Sequence, residues 1–302
     1  MVISPQDHKR AILRMILAVA VFACMDAGLK GLAPHYPPLE IVALRSWASL
    51  PFLLALLRYS NVSIFSVKGR WVYGFRSFTS LLMIATFIYS VGRQGLTDAY
   101  AVFMSAPLLV ALLSIIVLKE KISLRRWLSI VAGLIGVLLA LNPGGSELIS
   151  SAGLAALATA FFYSINVLSI RALHPDDPAE AVVFWNIMGM AVMASLLAMP
   201  QWTAVRVEDA GLIGLVGTTG ALAQHFLTVA FRMAPASVIA PFEYTALVWG
   251  ALIDLIIFNH VPTLQVLIGA MVVTLAGLAV MTERRHLPTE RPQESDASQP
   301  LP

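Results

Sequence analysis

Nine side chains in this sequence stand where ordinary solvation cannot reach them. Asp26, Arg45, Arg76, Asn166, Gln224, His225, Glu243 and Tyr244 fall inside long apolar runs, and Tyr89 falls in the same run as Arg76. A charge at the centre of a bilayer costs about 2.5–3.5 kcal/mol on insertion scales, so such residues face a cavity or a partner. Carboxylates, guanidiniums and an imidazole held in that way can bind a charged solute or pass a proton. Acyl-transfer, zinc or nucleotide chemistry would need other signatures. No His-Glu-x-x-His, no Gly-x-Ser-x-Gly, no Cys/His cluster and no phosphate-binding glycine loop occurs. No catalytic residue, metal site or cofactor is therefore expected. The single cysteine, Cys24, reads as a small packing residue.

Depth sorts these residues into two levels, at 1.5 Å of rise per residue. Asp26 lies roughly 10 Å below the end of the first apolar run, and Arg45 about 9 Å below the start of the second. They share a level and read either as a structural pair or as part of a substrate site. Lys30 and Asp254 lie nearer the same surface. Arg76, Gln224, His225, Glu243 and Tyr244 form a second group toward the other face. Asn166 is the counterpart of Asp26 in a repeat described below. Arg76 is close enough to the headgroups to snorkel, and His225 could be a hydrogen-bonded packing residue. Glu243 follows Pro241 by two residues, and carbonyls freed by a proline often line a cavity. It is the candidate for a proton or substrate role, with His225 as its nearest titratable neighbour. Tyr89, Tyr100, Tyr163, Trp185 and Trp249 could line an aromatic cavity or anchor the membrane interface.

The elements that hold these residues follow from composition. Hydrophobic residues make up 58% of the 302 and charged residues 12%, with a mean hydropathy of +0.80. A chain of this kind has lipid as its solvent. Ten runs are long enough to span: 11–33, 39–57, 71–92, 96–118, 124–141, 148–172, 179–199, 209–232, 236–258 and 263–281. Turn signals at 34–38, 142–145 and 174–178 separate them. No cleaved signal is expected at the N-terminus, and the tail 283–302 reads as disordered. Lysine and arginine fall 15 to 2 in favour of the side that holds both termini. That side is expected to be cytoplasmic, which leaves residues 1–10 as a cytoplasmic N-terminus of a bacterial inner-membrane protein.

A shift of 140 residues brings the halves into register. Pro38, Glu40 and Val42 meet Pro178, Glu180 and Val182; Ala18 meets Ala158, Thr79 meets Thr219 and Ala106 meets Ala246. The expected fold is an all-α membrane protein of ten transmembrane helices, arranged as two inverted five-helix repeats, 11–141 and 148–282. An odd number of helices per copy forces the second copy to enter from the opposite side. Inverted repeats are the architecture of alternating access, with a site near the midplane. Gly211, Gly214, Gly217 and Gly220 mark a surface for close packing or sliding.

Three stretches carry a family resemblance: Phe22–Lys30 with Glu40–Arg45; Ser105–Leu108 with Leu118–Ser123; and Ala240–Leu247 with Val261-Pro262. Together they resemble the EamA-like proteins of the drug/metabolite transporter superfamily over roughly residues 11–282. The usual acidic residue after the ninth helix is His260 here, where the first repeat keeps Glu120. The resemblance implies a carrier of small metabolites, and family habit points to export. The mixture of buried acids, bases and aromatics suits a zwitterionic, partly apolar solute, such as an amino acid or an amino-acid-derived metallophore. Import of riboflavin or S-adenosylmethionine stays open, as does a channel or membrane sensor. The expected partners are a small-molecule substrate, protons as coupling ion, and the bilayer. Nothing points to nucleic acid or fixes the oligomeric state.

Overall fold

The computed structural model describes residues 5–65, 67, 70–106, 108–110, 112–113, 124–141, 150–169, 177–233 and 240–282. The expected turn at 142–145, most of that at 174–178, the Leu118–Ser123 motif and the tail lie outside these residues. Ten α-helices are described: α1 Pro5–Leu32, α2 Pro38–Tyr59, α3 Arg70–Val91, α4 Leu96–Phe103, α5 Leu124–Leu141, α6 Ser151–Ser169, α7 Ala179–Ala198, α8 Ala210–Met233, α9 Thr245–Ile256 and α10 Leu264–Thr282. Their boundaries follow the expected punctuation. Pro38 opens α2, where its missing N–H is no loss. Pro178 precedes α7. Ser150 caps α6 by accepting a hydrogen bond from Gly153 N at 3.0 Å.

Six of these helices, α1, α2, α3, α6, α7 and α8, are each long and apolar enough to cross a bilayer. The fourth and ninth expected spans are not continuous helices among the described residues. After Phe103 the fourth turns at Met104, and the ninth begins as a 3₁₀ turn, Ala240–Tyr244, before α9.

The bundle has two ends. Tyr36 donates to Asp209 at 2.7 Å and Glu40 accepts from Thr203 N at 3.1 Å, which gathers residues 33–40 with 203–209. His260 meets Asp98 at the same end. At the opposite end Tyr73 bonds Asp177, and Trp185 Nε1 donates to Ile64 O at 2.6 Å. Between the ends, α1 packs on α8 and α3 on α6; α2 packs on α8 and α3 on α7; α1 packs on α9 and α4 on α6. Each of these pairings becomes another when both helices move five places along the chain. The pairs α2–α7, α4–α9 and α5–α10 map onto themselves.

Leu29, Ile41, Leu81, Ile88 and Leu96 fill the core. Leu128, Ile135 and Leu138 on α5, and Leu267, Met271 and Leu275 on α10, are exposed instead. An apolar exterior over helices of this length is a lipid-facing one. Cys24 is exposed, so the packing role expected of it is not seen. The glycine stripe of α8 also divides. A Cβ at Gly217 would lie 2.5 Å from Ala48 Cβ and one at Gly220 2.8 Å from Met25 Sδ, whereas Gly211 and Gly214 face open space. Close packing is confined to the half of the stripe that meets α1 and α2.

Candidate functional site

At the upper level, α1, α2 and α4 bring Asp26, Arg45 and Tyr100 into the core, with Asp26 and Arg45 each 7% exposed. Tyr100 OH donates to Asp26 Oδ2 at 2.5 Å, and Phe87 stacks on the Tyr100 ring at 6.0 Å. The pair expected between Asp26 and Arg45 is not formed. Tyr100 reaches the carboxylate from α4, while the Arg45 guanidinium lies toward Gly220 on α8, 3.7 Å from where a Cβ would stand. The two charges still act on each other across the buried interior. Arg45 Nε is buried and has no hydrogen-bond partner among the described residues.

Arg76 and Asn166 are brought together, and Arg76 does not snorkel. Its side chain is buried, and Nη1 donates to Asn166 O and Ser169 Oγ, both at 2.8 Å. The reason is local. Asn166 O and Ser169 Oγ stand together on α6, so an inward guanidinium finds two acceptors there. Asn166 Nδ2 donates in turn to Ser80 Oγ at 2.6 Å, Thr79 Oγ1 at 3.3 Å and Arg76 O at 3.2 Å. Asn186 on α7 joins through Ser80.

Glu243 sits in the 3₁₀ turn that packs on α1, α9 and α10. The phenols of Tyr163 and Tyr244 lie within its electrostatic reach. Phe103 meets the Tyr163 ring edge-on at 5.3 Å. Tyr244 OH and Ser105 Oγ are buried without partners among the described residues. His225 was expected beside Glu243, yet the two form no ion pair. Its ring tilts against Phe226 at 6.1 Å, on a helix that packs chiefly along α1 and α2. Gln224 is half-buried next to it. Tyr89 is elsewhere: it lines a cavity of about 430 Å³ with Thr86, Pro37 and Gln201, and carries the Arg93 guanidinium 3.6 Å over its ring. Trp185 is an anchor to the Ile64 loop, so the five aromatics do not form one cavity.

Sequence reasoning did not find Tyr100 as the partner of Asp26, or Thr203 as that of Glu40. No periodic pattern relates residues so far apart in the chain.

An all-helical bundle with a lipid-facing apolar exterior, and with acids, guanidiniums and orphaned hydroxyls in its core, has the build of a membrane transporter. It is a multi-pass membrane transporter and not an enzyme. The chain belongs to the EamA-like transporter family of the drug/metabolite transporter superfamily, whose profile matches residues 9–142. It is 30% identical over 275 residues to an "uncharacterized transporter" of Helicobacter pylori strain J99, covering 88% of this chain and 92% of the relative. An S-adenosylmethionine uptake transporter of Rickettsia bellii is 23% identical, over 88% of this chain and 91% of its own. The pseudopaline exporter CntI of Pseudomonas aeruginosa is 24% identical, over 92% and 98%. A solved crystal structure superposes with a TM-score of 0.62 over 92% of this chain and 97% of its own; at 20% identity the likeness is one of fold.

Proposed function

We propose that the protein is an inner-membrane secondary carrier with cytoplasmic termini. Two inverted five-helix repeats would exchange packings to carry a small zwitterionic metabolite. The direction we favour is export of an amino acid or amino-acid-derived compound. The observation that carries this reading is the arrangement of buried charge. Asp26 and Arg45 stand at one level, Arg45 with a free Nε, and Glu243 stands at the other among partnerless hydroxyls. Fixed opposite charges in a dry interior suit a solute with both an ammonium and a carboxylate. Support for inversion comes from the helix pairings that interconvert under a five-helix step, as alternating access requires.

The relatives named for S-adenosylmethionine uptake favour a second reading, import of that compound, which also carries ammonium and carboxylate groups. Counterflow in liposomes tests both. Preloaded amino acids, S-adenosylmethionine and riboflavin are offered one at a time against labelled tracer. Saturable trans-stimulated uptake of a zwitterion supports the carrier. Flux that never saturates points to a channel, and riboflavin alone would remove the zwitterion argument. Uptake into inside-out against right-side-out vesicles then decides direction.

A further inference from the structure

At the end of the bundle that gathers residues 33–40 and 203–209, helices α1, α4 and α9 meet around Asp254. Its side chain is fully buried. Oδ1 accepts from Lys30 Nζ at 3.0 Å and Leu96 N at 2.9 Å; Oδ2 accepts from Thr97 N at 2.7 Å and Thr97 Oγ1 at 2.9 Å. Leu96 and Thr97 open α4, so this carboxylate of α9 lies on the positive end of another helix. The capping residue of α4 itself is Gly95. Glycine there lets both side chains keep their places, because a Cβ would stand 2.9 Å from Asp254 Oδ2 and run into the His260 ring. Asn259, in the left-handed region at φ 50°, turns the chain back. His260 N then donates to Asp254 O at 2.9 Å, and its Nε2 meets Asp98 Oδ2 at 2.9 Å. The Lys30 ammonium also lies 4.3 Å over the Phe258 ring.

One helical turn deeper, the same three helices meet again. Tyr100 OH donates to Asp26, and Gly250 makes room for the Tyr100 ring, 2.6 Å from where its Cβ would be. Asp26 and Lys30 are four residues apart on α1, Thr97 and Tyr100 three apart on α4, and Gly250 and Asp254 four apart on α9. These spacings put each pair on one helix face.

We propose that this junction is the outer gate of the carrier. Asp254 is its latch, held by Lys30 and the start of α4, and the Asp26–Tyr100 bond is a second bar beneath it. The proposal rests on the carrier reading above, since alternating access needs one end sealed while the other opens. Asp254 acts here as a positioning residue: it fixes α4 against α9 and touches no substrate. The latch is releasable because it lies at the membrane surface, where Lys30 is 14% exposed and water can replace each partner as it leaves.

Thiol labelling tests the gate. Cys24→Ala removes the native thiol, and Ser105→Cys places a probe of nearly the same size beyond both layers, where the hydroxyl is buried. A charged, membrane-impermeant thiol reagent is applied to right-side-out and inside-out vesicles. In this background Asp254→Asn should speed labelling from the outside on the order of tenfold and slow it from the inside, a shift between two states. Lys30→Met, which keeps the contacts to α4, should move both rates the same way by less. It decides the matter if Asp254→Asn does not fold. Unchanged rates in both variants, or rates that rise from both sides as unfolding would give, overturn the gate. Counterflow by the unaltered protein is scored separately. Its absence counts against the carrier, while the labelling rates alone decide the gate.

Discussion

Asp26 in α1 and Asn166 in α6 occupy equivalent places in the two halves of the chain, and their surroundings differ. The Asn166 Nδ2 donates to Ser80, Thr79 and the Arg76 carbonyl, and the main-chain carbonyl of Asn166 holds the Arg76 guanidinium. Asp26 has Tyr100, and the guanidinium nearby keeps a buried nitrogen without a partner. A side chain tied by several hydrogen bonds is costly to move, since each broken bond exposes a group to hydrocarbon. A carboxylate with one hydroxyl partner beside a spare donor can trade that partner for a ligand. The comparison teaches that, on the inverted-repeat reading proposed above, the two halves share one scaffold and take different work. The α3–α6–α7 network ties its three helices together, and the α1–α2–α4 level holds the charge that the proposed function assigns to the substrate.

Making the two positions alike should have the largest effect. Asp26→Asn copies the α6 residue into α1, and its amide oxygen still accepts from Tyr100, so the fold should survive. Counterflow of a zwitterionic substrate should fall on the order of tenfold or more, as when about 1.4 kcal/mol or more of interaction is lost. Unchanged counterflow would make Asp26 as structural as Asn166.

Glu243→Gln comes next and separates binding from coupling. If Glu243 carries the proton, the variant should exchange substrate at the normal rate but fail to accumulate it against a gradient. If Glu243 binds the substrate ammonium, exchange itself weakens and the apparent KM rises. Normal behaviour in both assays removes Glu243 from the mechanism and leaves Asp26 as the remaining acid of the site.

The sequence disclosed the scaffold and the candidate residues but not their partners. Apolar length revealed a polytopic membrane chain because bilayer thickness acts on every span alike. The 140-residue register, with identities such as Thr79 and Thr219, raised the expectation of two equivalent five-helix halves. Depth put Asp26 and Arg45 on one level. It could not say which way either side chain turns, and a phenol from α4 took the carboxylate. The same limit produced the expected His225–Glu243 neighbourhood, since equal depth on two helices does not make two residues adjacent. Arg76 was read as a snorkelling residue because its acceptors, Asn166 O and Ser169 Oγ, belong to a helix far away in the chain. Asp254 was seen only as a residue near the surface. Its purchase on Leu96 and Thr97 depends on the close approach that Gly95 permits.

On the α6 side of the comparison, Asn166→Ala should lower stability and spare transport. The hydrogen bonds to Ser80, Thr79 and the Arg76 carbonyl are lost together. Interhelical hydrogen bonds in membranes are worth about 1–2 kcal/mol in model peptides and about 0.6 kcal/mol on average in a folded protein. The apparent melting temperature in detergent should therefore drop by a few degrees, with the substrate KM unchanged. A raised KM with unchanged melting would place Asn166 in the substrate path.

The smallest effect is expected from Arg76→Lys, and it tests the comparison where it is most exposed to error. Arg76 is a buried cation like Arg45, and its Nε is likewise without a partner among the described residues. By that criterion alone it would belong to the binding machinery. Its Nη1, however, already bridges Asn166 O and Ser169 Oγ. A lysine ammonium keeps the charge and can reach one of these acceptors, but it cannot reproduce the planar fork. If Arg76 is a structural tie, the substitution costs about one interhelical hydrogen bond, ~0.6 kcal/mol, visible as a slight loss of thermal stability with kinetics intact. If its free Nε instead receives a substrate carboxylate, KM should rise for substrates that carry that group and stay the same for analogues that lack it. That split would move the binding site from the α1 side of the molecule to the α6 side and reverse the division of labour between the halves.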